Sequence, residues 1–87
     1  MVASKTVSQL IAACPSSFEQ TQQISEWFAE CYRWAEIENY PELVESTWMG
    51  LVKIDQLNAR RQYRETVLSQ LKAIQSITVV NNSDGRV

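Results

Sequence analysis

The chain has 87 residues, of which 45% are hydrophobic and 21% are charged, and its net charge is −2. This length and balance predict one small globular domain with a modest core. The weak net charge provides no bulk attraction to nucleic acid or to a membrane surface. No stretch approaches the roughly 20 apolar residues of a transmembrane helix. Two Gly and two Pro in the whole chain argue against a turn-rich β fold and favour helices joined by short links.

The first predicted element is a short amphipathic helix from about Lys5 to Cys14, with Ser4 as its N-cap and Pro15 ending it. The segment from Ile11 to Cys14 has the small residues and cysteine of a lipoprotein signal cleavage site. The apolar run before it is short and interrupted by polar residues, which argues against a signal peptide. A helix that belongs to the domain is the better interpretation.

The second predicted helix runs from about Ser17 to Glu38. Ser16 with Glu19, or Ser17 with Gln20, has the spacing of a capping box at its start. Its apolar residues recur at helical spacing and form one arc that should face the core: Ile24, Trp27, Phe28, Cys31, Trp34 and Ala35.

The longest helical pattern extends from Pro41, at a first helical position, to Ile77. It contains two apolar stripes on nearly opposite faces, separated by residues 58–62. Since Ala, Arg and Gln in that separator are good helix formers, we favour one continuous or merely kinked helix. The alternative is a break near Asn58, after which the halves fold face to face as a hairpin. The first stripe comprises Val44, Thr47, Trp48, Leu51 and Ile54.

Residues 78–87 differ in character from the rest of the chain. Thr78, Val79 and Val80 are β-prone and are followed by a turn-prone stretch. A single short strand has nothing in this chain to pair with, so we predict a frayed, flexible tail after a domain of residues 1–77. The alternative is a strand over 76–80 that adds to the edge of a partner's sheet.

Residues that carry chemistry are scarce. The chain has no His, so the usual general base is absent. It has neither a glycine-rich phosphate loop nor a serine-nucleophile motif. Cys14 and Cys31 are its only cysteines and lack the spacing of a metal site. We therefore expect no catalytic residues, no metal and no cofactor, and we interpret Cys31 as a small buried hydrophobe.

Three surfaces are candidates for binding. The second stripe of the long pattern needs a partner if that half of the helix projects, and a symmetric homodimer would be the simplest source. The Asn58–Arg64 segment is rich in arginine and amide side chains, which nucleic-acid contacts use. The third candidate surface comprises aromatic side chains at the rim of the second helix, since Trp and Tyr are frequent interface hot spots. The candidates are Tyr63, Val67, Leu71 and Ile74; Arg60, Arg61 and Arg64; and Tyr32 and Trp34.

The sequence as a whole predicts an all-α fold, a small three- or four-helix bundle with a long C-terminal helix or helical hairpin. The predicted function is a non-catalytic protein–protein interaction module, an adaptor, regulator or inhibitor, located in the cytoplasm. Its partner would be another protein or a second copy of this chain in a homodimer. The alternative is a small nucleic-acid-binding regulator that uses the Asn58–Arg64 segment.

Overall fold

In a computed structural model, residues 5–86 form four α-helices: α1 (Val7–Ala12), α2 (Thr21–Glu38), α3 (Pro41–Val52) and α4 (Leu57–Arg86). The structure describes side chains for residues 5–77. Over residues 5–86 it contains no β-strand. The predicted all-α bundle with a long C-terminal helix is confirmed. α3 lies between α2 and α4, and α1 packs mainly against α4.

α1 is shorter than predicted and begins with a different cap. Ser4, the predicted N-cap, lies outside the described residues. Thr6 is the N-cap and forms a capping box with Gln9. The Gln9 N–H donates to Thr6 Oγ1 at 3.2 Å, and the Thr6 N–H donates to Gln9 Oε1 at 2.9 Å. This reciprocal pair lets a six-residue helix begin in a defined place.

α2 begins at Thr21 rather than Ser17, and neither predicted capping box forms. Ser17 Oγ instead accepts from the Glu19 N–H at 3.1 Å, inside the loop before the helix. This serine turn competes with helix formation, so the helix starts four residues later. The predicted end at Glu38 is confirmed. Asn39 follows with a φ of 65°, a left-handed conformation that Asn adopts more readily than most residues.

The preferred prediction of a continuous helix from Pro41 to Ile77 is wrong. Pro41 does occupy the first turn of α3, as predicted, but α3 ends at Val52. α4 starts at Leu57, so the break lies at residues 53–56, a few positions before the predicted alternative near Asn58. The short connection makes α3 and α4 an antiparallel pair. The chain therefore forms the hairpin that the alternative described.

α4 continues to Arg86, beyond Ile77 where the sequence predicted the helix to end. Thirty residues of helix span about 45 Å, which matches the longest dimension of the molecule, 47 Å. The side chains after Ile77 lie outside the described part of the chain. The flexibility of residues 78–87 stays a prediction.

The core face of α2 is the predicted one, whereas that of α3 is rotated. All six residues of the predicted α2 arc are buried. In α3 the buried residues are Leu43, Thr47 and Gly50, while Trp48 is 53% exposed. Trp48, a member of the first predicted stripe, therefore lies outside the core. Gly50 explains the rotation: a Cβ built on it would lie 2.9 Å from the Phe28 ring, so only a glycine lets α3 approach α2 this closely.

Candidate interaction groove

The second predicted stripe lies inside this chain's own core. Val67 and Leu71 have no exposed surface, and Tyr63 and Ile74 are half-buried against the same cluster. Because α4 folds back onto α1 and α3, these residues already have an apolar partner. The homodimer was predicted as the partner of a projecting helix, and α4 does not project, so the stripe does not require a dimer. Val67 and Leu71, two of the predicted binding residues, are inaccessible to another protein in this fold.

Two of the three predicted binding arginines hold the loop between α1 and α2. Arg60 is only 8% exposed. Its Nε donates to the Phe18 carbonyl at 2.8 Å and its Nη1 to the Ile54 carbonyl at 2.6 Å. Arg64 Nε donates to the Pro15 carbonyl at 2.8 Å. A guanidinium suits this task, since it offers several donors in a fixed plane.

The remaining arginine, Arg61, is exposed and lies over the Phe18 ring at 5.7 Å. In the described part of the chain it makes no side-chain hydrogen bond. Arg64 also pairs with Glu65 at 2.9 Å. A phosphate-binding surface needs several free cationic side chains. In the Asn58–Arg64 segment, only the Arg61 side chain is free of hydrogen bonds and ion pairs among the described residues. The geometry therefore gives the nucleic-acid alternative little support.

The predicted rim aromatics are arranged differently from the sequence interpretation. Trp34 is 8% exposed and stacks on Tyr40, with ring centroids 5.4 Å apart and planes 10° apart. Tyr32 is half-buried, and its ring centroid lies 6.0 Å from that of Trp48 on α3. A hydrogen bond to the Glu36 carboxylate, and the charge of that group, raise the pKa of the Tyr32 phenol. The exposed aromatic of this pair is Trp48 rather than Tyr32.

A groove of about 500 Å³ lies between the N-terminal turn of α3 and the middle of α4. We call it the α3/α4 groove. Of the predicted binding residues, only Ile74 contributes to it. Its walls are mainly apolar, and Ile77 at one end is 62% exposed. The groove is lined by Tyr40, Pro41, Glu42, Leu43, Gln70, Ala73, Ile74 and Ile77.

The fold explains how these residues meet. The αL residue Asn39 reverses the chain after α2, and Pro41 starts α3 at once. The stacking of Tyr40 on Trp34 fixes the aromatic end of the groove. On α4, Gln70, Ala73 and Ile77 recur at spacings of three and four and so share one face. Sequence reasoning missed this face because Ala73 is small and its neighbour Ile74 was assigned to the second apolar stripe.

One polar atom in the groove wall is unusual. Gln70 Oε1 is buried and has no hydrogen-bond partner among the described residues. An unsatisfied buried acceptor costs about 1–3 kcal/mol. The polar groups elsewhere in the core are paired; Thr47 Oγ1, for example, donates to the Leu43 carbonyl at 2.8 Å. This acceptor belongs to a residue that lines the groove, and it lacks a donor in the described part of the chain.

The two thiols form no constellation with other reactive groups. Both are free; Cys31 is buried and Cys14 is half-buried. Burial raises the pKa of the Cys14 thiol and raises that of Cys31 to about 12, which keeps both protonated at neutral pH. Within residues 5–77, no three His, Cys, Asp or Glu side chains lie close enough together to hold a metal ion.

Comparison with family models, with curated proteins and with solved structures finds no match to this chain. Among the described helices, none combines the length and the apolar character that crossing a bilayer requires. The function must therefore be inferred from the surfaces of the fold itself.

Proposed function

We propose that this protein is a non-catalytic protein–protein interaction module that binds a helical segment of another protein in the α3/α4 groove. The observation that carries the proposal is an open apolar groove that leads to the exposed Ile77. Two helices form its walls, and a groove of this kind accepts the apolar face of a third helix. The proposal places the protein in the cytoplasm, where its two free cysteines would stay reduced.

The groove replaces the surfaces predicted from the sequence. The residues of the predicted stripe, apart from Ile74, fill the core or its edge, and Arg60 and Arg64 are engaged with backbone carbonyls. What remains for a partner is the rim of Ala73 and Ile77. Both side chains are exposed, and both lie outside the buried cluster. A homodimer that uses the same groove is the alternative occupant.

The test compares two exposed aliphatic residues of α4, one at its start and one in the groove. Ile77→Asp places a charge in the groove, whereas Leu57→Asp places one about 30 Å away along the helix. Leu57 is 47% exposed and Ile77 is 62% exposed, so neither change should disturb the fold by more than about 0.5 kcal/mol. Loss of one buried isoleucine contact is worth about 1.5–3 kcal/mol, so affinity should fall at least about tenfold.

The experiment captures proteins from nuclease-treated lysate on the wild-type chain and on both variants, and quantifies them by mass spectrometry. A captured protein is then purified and its affinity measured directly. The proposal requires a partner that is lost with Ile77→Asp and kept with Leu57→Asp. Absence of any such partner contradicts it. Light scattering on the chain alone measures the mass, and an Ile77-dependent dimer would identify a second copy as the occupant.

A further inference from the structure

We infer that the segment bound in the α3/α4 groove is cationic: an amphipathic helix with Lys or Arg about one turn from its apolar anchors. This inference rests on the function proposed above and specifies the partner's chemistry. It follows from the charges around the groove. Between Trp34 and Lys53 the chain has no basic residue and four acidic ones, all of them exposed: Glu36, Glu38, Glu42 and Glu45.

One of these carboxylates lies at the groove, and a second lies at a neighbouring cavity. Glu42 lines the groove, and Glu36 lines a smaller cavity of about 290 Å³ that shares Tyr40 and Pro41 with it. The two cavities together form a surface that is apolar in the middle and acidic on both sides of the α2–α3 turn. In the described residues, the ion pairs formed are Lys5 with Glu30 and Arg64 with Glu65, so all four carboxylates keep their charge uncompensated.

The nearest positive charges do not cancel this field. Arg33 lies one turn before Glu36 but forms no ion pair with it in the described part of the chain. Lys72 is on α4, yet helical spacing turns it about 100° from Ala73 and about 140° from Ile77, away from the face that they share. The N-terminus of α3 contributes only about half a positive charge, against the full negative charge of Glu42 in the groove wall and that of Glu36 in the neighbouring cavity. The groove is therefore negative overall and attracts a cationic segment.

The exposed carboxylates also determine which charged side chains the partner needs. Glu42 lies at the edge of the groove and is exposed, so a lysine or arginine can reach it without being buried. An exposed pair of this kind contributes modestly, about two- to fivefold in affinity. An acidic segment would instead place like charges together. The carboxylates thus select among partners more than they strengthen binding.

The probe is a phage-displayed library of helical peptides of about 14 residues, long enough for about four turns. Apolar residues are fixed at positions i, i+3 and i+7, and the flanking positions are randomised. Peptides are selected on the full wild-type chain and counter-selected on Ile77→Asp. Selected peptides are synthesised, and their affinities for the wild type, Glu42→Gln and Glu19→Gln are measured at low and high salt. Glu19 is the matched control, because it is exposed in the α1–α2 loop and does not line the groove.

The inference predicts that groove-dependent peptides are enriched in Lys and Arg. Glu42→Gln should weaken them about two- to fivefold at low salt, less at high salt, and Glu19→Gln should leave them unchanged. Neutral or acidic peptides that still depend on Ile77, or equal effects of the two Gln variants, overturn the cationic partner and leave the groove function standing. If no peptide distinguishes the wild type from Ile77→Asp, both proposals fail.

Discussion

Replacement of Arg60 by alanine should destabilise the fold, although the residue is an arginine in a segment whose composition suggests a binding surface. Arg60 is 8% exposed and donates to two backbone carbonyls, those of Phe18 and Ile54. A hydrogen bond from a charged donor contributes about 1.5–3 kcal/mol when buried. Because these bonds are only partly buried, we expect about 1–1.5 kcal/mol for each. The loss of both should therefore cost about 2–3 kcal/mol, or roughly 10–20 °C in Tm for a domain of this size.

The neighbouring Arg61 provides the matched control. Its guanidinium is exposed and contacts only the Phe18 ring, so Arg61→Ala should cost less than about 1 kcal/mol. Urea denaturation followed by far-UV circular dichroism measures the free energy of unfolding of both variants. Arg60→Lys should recover little, because an ammonium cannot reproduce two donors in one plane. If Arg60→Ala unfolds no more easily than Arg61→Ala, the structural role assigned to Arg60 is refuted.

Three further predictions concern the core. Gly50→Ala should destabilise the fold by about 1–3 kcal/mol in urea denaturation, because its Cβ would lie 2.9 Å from the buried Phe28 ring; no loss would contradict this close packing. Leu71→Ala should cost about 2–5 kcal/mol by the same assay, since Leu71 is fully buried, and a cost below about 1 kcal/mol would place it at a surface instead. Burial raises the pKa of Cys31 from 9.0 to about 12. The pKa of this thiol is higher in the folded state than in the unfolded state. The free energy of unfolding is therefore retained below pH 9 and lost between about pH 9 and 12, by up to about 1.4 kcal/mol per pH unit. Above pH 9, the free energy of unfolding should fall less steeply with pH in Cys31→Ala than in the wild type. Equal slopes would count against burial of the thiol.

The core face of α2 was predictable because its signal is large and regular. Trp27, Phe28 and Trp34 recur at helical spacing with small or aliphatic residues between them, and no other arc of the helix is comparably apolar. α3 has two competing apolar faces. The face with Trp48 is the more hydrophobic, but the face with Gly50 can approach α2 more closely. Four of the five residues of the first predicted stripe are buried or packed against the core. Hydropathy assigns no weight to a missing side chain, so the periodicity of the sequence placed the centre of the core face too close to Trp48.

The α3/α4 groove could not be predicted in the same way. Its residues come from two segments that meet only because the chain reverses at 53–56. Ile77 appeared to be the end of a helix, whereas α4 continues past it. The sequence did contain the acidic bias of residues 1–50, with seven Glu against Lys5 and Arg33. Only the packing of α3 against α4 places some of these acidic residues beside an apolar groove.

The error over the continuous helix and the error over the arginines have one physical origin. No Gly or Pro marks residues 53–56, so local propensity does not predict a turn there. In the turn that follows α3, backbone carbonyls have no helical partner and need other donors. Arg60 supplies one, since its Nη1 donates to the Ile54 carbonyl, and the same guanidinium also holds the Phe18 carbonyl of the α1–α2 loop. A side chain that suggests a binding surface thus supplies hydrogen bonds that stabilise both the turn and the loop. If so, the helix break depends on tertiary contacts, and an isolated peptide of residues 41–77 lacks the Phe18 contact that helps to hold Arg60 in place.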